Sequence, residues 1–183
     1  MPTILTHSAV PLALGLGLGA GIVPRRLLLA GVVASILPDL DVVAFRLHVA
    51  YADSFGHRGA SHSLAFALFV GLMAALAAKQ LQASRWRAFA VCALSAASHP
   101  VLDMFTNGGL GALWWPLSDA RVFAPWQVIE VSPLSLSRIL SDRGLTVLQS
   151  ELLWVWLPAA LACCALLLLR RQVGPGKPKS PVQ

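Results

Sequence analysis

Five apolar runs divide this sequence: Ile4–Val23, Leu27–Leu37, Ser63–Ala78, Trp86–Phe105 and Leu152–Leu169. A helix that crosses a bilayer needs about 20 mostly apolar residues, within a range of about 17–25. The fifth run meets that need outright, because no charge interrupts it, and the third and fourth meet it with their flanks. The first two are shorter and could instead pair tightly and cross only in part. Composition agrees with this pattern. The chain is 57% hydrophobic and 12% charged, against about 25% charged residues in a soluble protein. A soluble domain of this length would need surface charges that are missing here, and disorder would need the opposite balance. Nothing basic precedes the first run, so it is expected to be retained rather than removed as a signal peptide. Cys92, Cys163 and Cys164 lie inside apolar runs without CxxC spacing and read as small hydrophobes.

Charge placement orients the runs. If helices alternate in direction, one side holds Arg25, Arg26, Lys79, Arg85, Arg87, Arg170, Arg171, Lys177 and Lys179, with no acid among them. The other holds Arg46, Arg58, Arg121, Arg138 and Arg143. The first side is expected to be cytoplasmic, which places the N-terminus outside and the C-terminus inside. The net charge of +6 is then mostly positive-inside anchoring and calls for no nucleic acid. All eight acids (Asp39, Asp41, Asp53, Asp103, Asp119, Glu130, Asp142, Glu151) and all five histidines (His7, His48, His57, His62, His99) gather on the outer side.

Several of these groups fall at helix ends. His7 stands at the outer start of the first run, and Asp39 and Asp41 follow the second, where Pro38 prevents a simple continuation of the helix. His57 and His62 lead into the third run, with Ser61 or Ser63 as candidate N-cap. His99 and Asp103 are spaced i, i+4 on one face of the fourth. Glu151 opens the fifth. Each group has a plainer reading alone: a polar cap for His7, a loop pair for Asp39 and Asp41, capping histidines at 57 and 62, a dipole-favoured carboxylate at Glu151. Their convergence on one membrane level is the stronger signal, since ionisable residues at that depth are costly and a divalent cation offsets the cost. His and Asp without thiolate suit zinc, with manganese or iron as alternatives. The ligands exceed one four-coordinate ion, so a two-metal centre with Asp103 bridging would use them better. His48 and Asp53 read as ordinary surface. Trp114, Trp115 and Trp126, in the polar stretch Thr106–Ser150, read as an interfacial belt. Asn107-Gly108-Gly109 is expected to break the fourth helix. Arg58 and Arg121 are candidate phosphate binders.

The blocks His7, Leu37-Pro38-Asp39-Leu40-Asp41, His57-Arg58-Gly59-Ala60-Ser61-His62-Ser63-Leu64, Ser98-His99-Pro100-Val101-Leu102-Asp103, Trp115-Pro116 and Glu151 resemble, in that order, the YdjM-like inner-membrane proteins. That resemblance covers about residues 5–155 and implies a LexA-regulated, membrane-bound, metal-dependent hydrolase. Ser61 stands where Thr is usual, and Ala60 replaces a bulkier residue. More distantly, the order His, Asp, His, His-x3-Asp is similar to the zinc-dependent phospholipase C and single-strand nuclease group. This likeness implies metal roles for His7, Asp39 or Asp41, His62, His99 and Asp103. That group has further histidines after its His-x3-Asp pair, and this chain has none, so one or two metals are implied rather than three.

The resulting expectation is an all-α, multi-pass bundle of about five helices in the inner membrane, embedded over residues 1–171, with a disordered cytoplasmic tail at 172–183. Its metal site lies at the extracytoplasmic helix ends. The ligands are His7, Asp39, Asp41, His57, His62, His99 and Asp103, holding one or two divalent ions, Zn2+ first and Mn2+ next. Asp39, Asp41 and Glu151 are the candidate catalytic carboxylates, and Arg58 and Arg121 would bind substrate. The reaction is attack of metal-activated water on a phosphoester, with Asp39 or Asp41 positioning the water. The substrate is a phospholipid or another lipid-linked phosphate at headgroup level. A non-catalytic metal-binding or metal-transporting membrane protein is the alternative. Transport would need polar groups along the path, and the inner halves of the runs hold almost none.

Overall fold

The computed structural model describes residues 2–108, 111–132 and 141–173. Gly109, Arg138 and the expected tail beyond Val173, with Lys177 and Lys179, lie outside these residues. The described chain is helical and contains no strand beyond two isolated bridges, Thr106 with Ile129 and Gly111 with Val122. A 3-10 turn at Thr6–Ser8 leads into α1 (Ala9–Leu18). Then follow α2 (Arg25–Ile36), a 3-10 stretch Leu37–Val42 and the short α3 (Val43–Arg46). A 3-10 turn at Ala60–His62 precedes α4 (Leu64–Leu76), and α5 spans Arg85–Met104. The last helical stretch comprises α6 (Asp142–Glu151), a π-helical turn Leu152–Trp156 and α7 (Leu157–Val173).

Local chemistry explains the boundaries. Ser63, rather than Ser61, caps α4: its Oγ accepts from the Phe66 amide at 3.0 Å. Ser84 does the same for α5, accepting from the Arg87 amide at 3.3 Å, and both side chains satisfy a donor that has no partner within its helix. Gly19 ends α1 at φ 78°, a conformation that glycine adopts at little steric cost.

Pro38 prevents a simple continuation of the second helix, as expected: α2 ends at Ile36 and the chain passes into 3-10 geometry with Pro38 at its first positions, where a missing N–H costs nothing. Helical structure of mixed type still runs from Arg25 to Arg46, 22 residues of mean hydropathy 2.0. One expectation is corrected: Glu151 does not open the last helix. Helix begins at Asp142 and continues to Gln172 for 31 residues, so the dipole reading of Glu151 has no helix end to act on. Residues 142–151 were missed because only one face of them is apolar, while the run from Leu152 onward is apolar on every side. α7 also keeps Gln172 and Val173, the first two residues of the expected tail, in helix.

Among the described residues, these two helices alone are both long and apolar enough to cross a membrane. α4 has 13 residues, about 20 Å at about 1.5 Å per residue. α5 has 20 but carries Arg85, Arg87, His99 and Asp103 near its ends.

The core forms where α2, α4 and α5 meet, and it is built from small side chains around Leu27: Ala34, Ala67, Ala88, Val91, Cys92 and Ala96. α1 lies between this trio and α7, which packs principally on α1. The two ends of the bundle differ in chemistry. At one, Arg26 donates to the Gln80 carbonyl (3.3 Å), Arg87 donates to the Gly21 carbonyl (3.1 Å), and Arg170 lies against Gly19. At the other, His7, Asp39, His62, His99, Asp103 and Glu151 are buried. Between them Leu29, Val33, Leu68, Phe69, Leu72, Leu161 and Leu168 face outward, an apolar belt costly in water and suited to hydrocarbon.

Close packing of α4 on α5 rests on Gly71. A Cβ there would stand 2.7 Å from the Ala93 Cβ and 3.0 Å from the Phe89 carbonyl oxygen. Gly71→Val is expected to destabilise the bundle by about 1–3 kcal/mol through overpacking. The lowered unfolding midpoint would show in a thermal scan in detergent, while Gly21→Ala, with nothing within 4 Å of the added Cβ, leaves it unchanged.

Candidate metal centre

Four segments deliver five buried side chains to one point. His7 comes from the first 3-10 turn, Asp39 from the stretch after α2, and His62 from the turn before α4. His99 and Asp103 come from successive turns of α5. None is more than 5% exposed. His7 Nε2 lies 3.7 Å from Asp103 Oδ1 and 3.9 Å from Asp39 Oδ2. His99 Nε2 lies 3.4 Å from Asp39 Oδ1 and 3.2 Å from His62 Nε2. His62 Nε2 is 3.5 Å from Asp103 Oδ2. The His7 and His99 rings stack with centroids 3.6 Å apart. Two overlapping groups that could hold a metal ion result: His7, His99 and Asp103, and Asp39, His62 and His99.

Further groups aim these donors. The Ser35 carbonyl accepts from His99 Nδ1 at 2.7 Å, which fixes the tautomer and leaves Nε2 as the free lone pair. Asp41 stands 3.1 Å from His62 Nδ1 and does the same for that ring. Carboxylate or carbonyl support behind a ligating imidazole is the usual way its orientation is held. Asp41 is itself tied down by the Arg58 amide (2.9 Å), the Ser61 hydroxyl (2.5 Å) and His57 Nδ1 (2.5 Å).

The donor set fits a cation. Among the described residues, seven buried side-chain atoms lack a hydrogen-bond partner, and six of them belong to His7, Asp39 and Asp103. Buried polar atoms are almost always paired, so their concentration at one point asks for a charge that satisfies several at once. Burial pushes the His62 pKa down, but the flanking carboxylates of Asp103 and Asp41 outweigh it and hold the ring above its ordinary value.

The structure does not bring every expected site residue into this cluster. Asp41 and His57 pair with each other outside both donor groups. Glu151 is 1% exposed and accepts from the Thr3 amide, the Thr3 hydroxyl (2.8 Å) and the Thr6 hydroxyl (2.7 Å). Arg121 donates to the carbonyls of His57 (3.1 Å), Tyr51 and Asp53 (3.3 Å) and covers the Tyr51 ring, so its guanidinium fastens the 51–57 loop. Arg58 does reach the cluster: it is 3% exposed, and its Nη2 lies 3.4 Å from Asp103 Oδ2. His48 and Asp53 are exposed, as expected. Residues that the sequence reading missed are Ser35, Thr3 and Thr6. The first contributes a backbone carbonyl, which every residue type carries, so no sequence signal could have found it.

The family model described as YdjM inner membrane protein matches residues 1–173 of this chain. The chain is 50% identical over 163 residues to Inner membrane protein YbcI of Escherichia coli (strain K12), an alignment covering 88% of this chain and 94% of that protein. No solved structure matches it.

Asp41→Asn is expected to keep the cation stoichiometry while weakening affinity about 10–100-fold, the usual cost of losing a group behind a ligand; equilibrium titration measures both. The raised pKa of His62 sets the sign of the pH dependence. Ligation through Nε2 requires loss of the proton that this ring holds to higher pH than an ordinary histidine. Apparent affinity should therefore be level above that pKa and fall as pH drops through it, which titrations at several pH values would test.

Proposed function

The chain belongs to the YdjM inner membrane protein family, and on that premise we propose that it is a multi-pass membrane enzyme that hydrolyses a phosphoester with one divalent cation. The observation that carries this reading is the set of six partnerless atoms on His7, Asp39 and Asp103. Of the one or two ions expected, a single one is favoured. Two donors on one zinc, each about 2.0–2.2 Å from it, stand about 3–4 Å apart, and the closest donor separations here run from 3.2 to 3.9 Å. Zn2+ suits the three imidazoles and two carboxylates, with Mn2+ next.

The orientation proposed for the bundle follows its two unlike ends. The arginine end, with Arg25, Arg26, Arg87 and Arg170, faces the cytoplasm, and the His/Asp end faces outward. The N-terminus then lies outside and the tail after residue 171 lies inside.

When bound, the cation supplies a Lewis acid and a water of lowered pKa. His7, His62, His99, Asp39 and Asp103 would hold it. Asp39 is favoured over Asp41 as the carboxylate that orients water, because four groups already engage Asp41 while both Asp39 oxygens lack a partner. Arg58 places a positive charge at the same point, where it can pair with a phosphoryl oxygen. Its Nη1 donates to the Gly108 carbonyl at 2.5 Å, which fixes the fork. An apolar pocket of about 330 Å3, lined by Leu102, Phe105, Trp126, Val128, Ile129 and Trp154, adjoins the same end of α5. It supports an amphiphilic substrate whose acyl chain lies there, a phospholipid or another lipid-linked phosphate.

One observation favours a second reading. Every donor residue is at most 5% exposed, which suits a closed site holding a cation for folding alone.

Metal analysis of the purified chain, with hydrolysis assays on phosphomonoester, phosphodiester and phospholipid substrates, separates the two. The enzyme reading expects about one equivalent of divalent metal and turnover, both lost in His99→Ala and Asp103→Ala. Arg58→Ala should raise KM more than it lowers metal content. Bound metal without hydrolysis of any of these substrates would leave the closed structural site standing and end the enzyme reading.

A further inference from the structure

Glu151 ends α6 at the point where the helix changes to the π form of Leu152–Trp156. π geometry bonds residues five apart and is frequent at functional sites. Glu151 and Trp156 are five apart, and both reach one hydroxyl. Thr6 Oγ1 donates to Glu151 Oε2 at 2.7 Å and accepts from Trp156 Nε1 at 3.1 Å. Glu151 also accepts from the amide and hydroxyl of Thr3. All of the carboxylate's recorded bonds thus go to the N-terminal segment.

Thr6 immediately precedes His7 in the same 3-10 turn. Among the five donors, His7 is the imidazole with no hydrogen bond to either ring nitrogen. His99 is aimed by the Ser35 carbonyl and His62 by Asp41. His7 has only its stack on His99 and the backbone that carries it. That backbone is held by Thr6, and Thr6 is held by the last helix.

We propose that Glu151 is a positioning residue which, with Trp156, acts through Thr6 to place His7 at the metal centre. Cation binding and the docking of the last helix on the N-terminal turn are thereby coupled. This inference rests on the metal reading of the site. The coupling is reciprocal, as any linkage between two binding events must be: a clasped Thr6 favours the cation, and a cation held through His7 favours the clasp. It also gives the last helix a polar attachment at the site end, where its other packing is principally on α1.

The test is a double-mutant cycle on the full chain in detergent, titrated with Co2+ and read by its visible absorption, with Zn2+ competition for affinity. Thr6→Val removes the hydroxyl at nearly constant shape. It should weaken Co2+ binding about 10–100-fold and move the absorption toward that of His7→Ala. Thr6→Ser, which keeps the hydroxyl, should restore both. In the His7→Ala background, Thr6→Val should cost nothing further, because the residue it places is gone. Trp156→Phe and Glu151→Gln run through the same cycle if Thr6→Val does not fold. Equal losses with and without His7, or unchanged affinity in all three variants, would overturn the clasp and leave the metal reading intact. A wild-type chain that binds neither Co2+ nor Zn2+ would overturn the metal reading, and the clasp with it.

Discussion

Asp39 and Asp103 are buried with four carboxylate oxygens and, among the described residues, no hydrogen-bond donor to any of them. Two carboxylates brought together in a buried site repel each other, and the penalty for an uncompensated buried charge is severe. The surrounding structure is arranged around that problem. Three imidazoles converge on the two acids, Arg58 adds a fixed positive charge, and the Ser35 carbonyl and Asp41 turn two of the rings so that their Nε2 atoms face inward. Such an arrangement is stable when a cation can complete it.

Convergence of five side chains from separate segments requires helices that approach closely, and small residues permit this. Gly31 of α2 meets Ser95 and Val91 of α5, and a Cβ there would lie 3.1 Å from Ser95 Oγ and 3.4 Å from Pro11 of α1. Pro11, Gly31 and Ser95 each stand four residues, about one turn, from a member of the site: His7, Ser35 and His99. The contact that joins three helices one turn below the cluster is thus the contact that brings their ends together. At the opposite end, arginines on α2 and α5 close turns by donating to the carbonyls of Gln80 and Gly21. A chain with so few charges uses them both to mark the ends of the bundle and to fasten them.

Much of the donor set was legible in the sequence, and the reason differs by residue. His99 and Asp103 could be paired because helical spacing alone puts i and i+4 on one face. Asp39 and Asp41 could not be told apart, since both follow the same apolar run. In 3-10 geometry, with about three residues per turn, residues two apart point to different sides. One therefore enters the cluster while the other turns back to hold His57 and His62. Glu151 could be read as a charge at a helix start only because hydropathy hides an amphipathic first half; its neighbours, Thr3 and Thr6, lie at the far end of the chain. Arg58 and Arg121 looked equivalent, yet one approaches Asp103 and the other fastens a loop.

The sequence by itself determined that the chain is helical and apolar along its middle, that most of its bases lie at the helix ends opposite its acids, and that it carries a set of histidines and aspartates of a kind that could hold a metal ion. These properties follow from periodicity, run length and residue chemistry, which are local. The tertiary structure decided which carboxylate faces the cluster, which imidazole is held by which partner, and that Glu151 reaches the N-terminal segment rather than the His/Asp cluster. Those outcomes depend on helix crossings set by glycine contacts and on a π turn that shifts one face of the last helix. No local pattern encodes where two distant segments will meet.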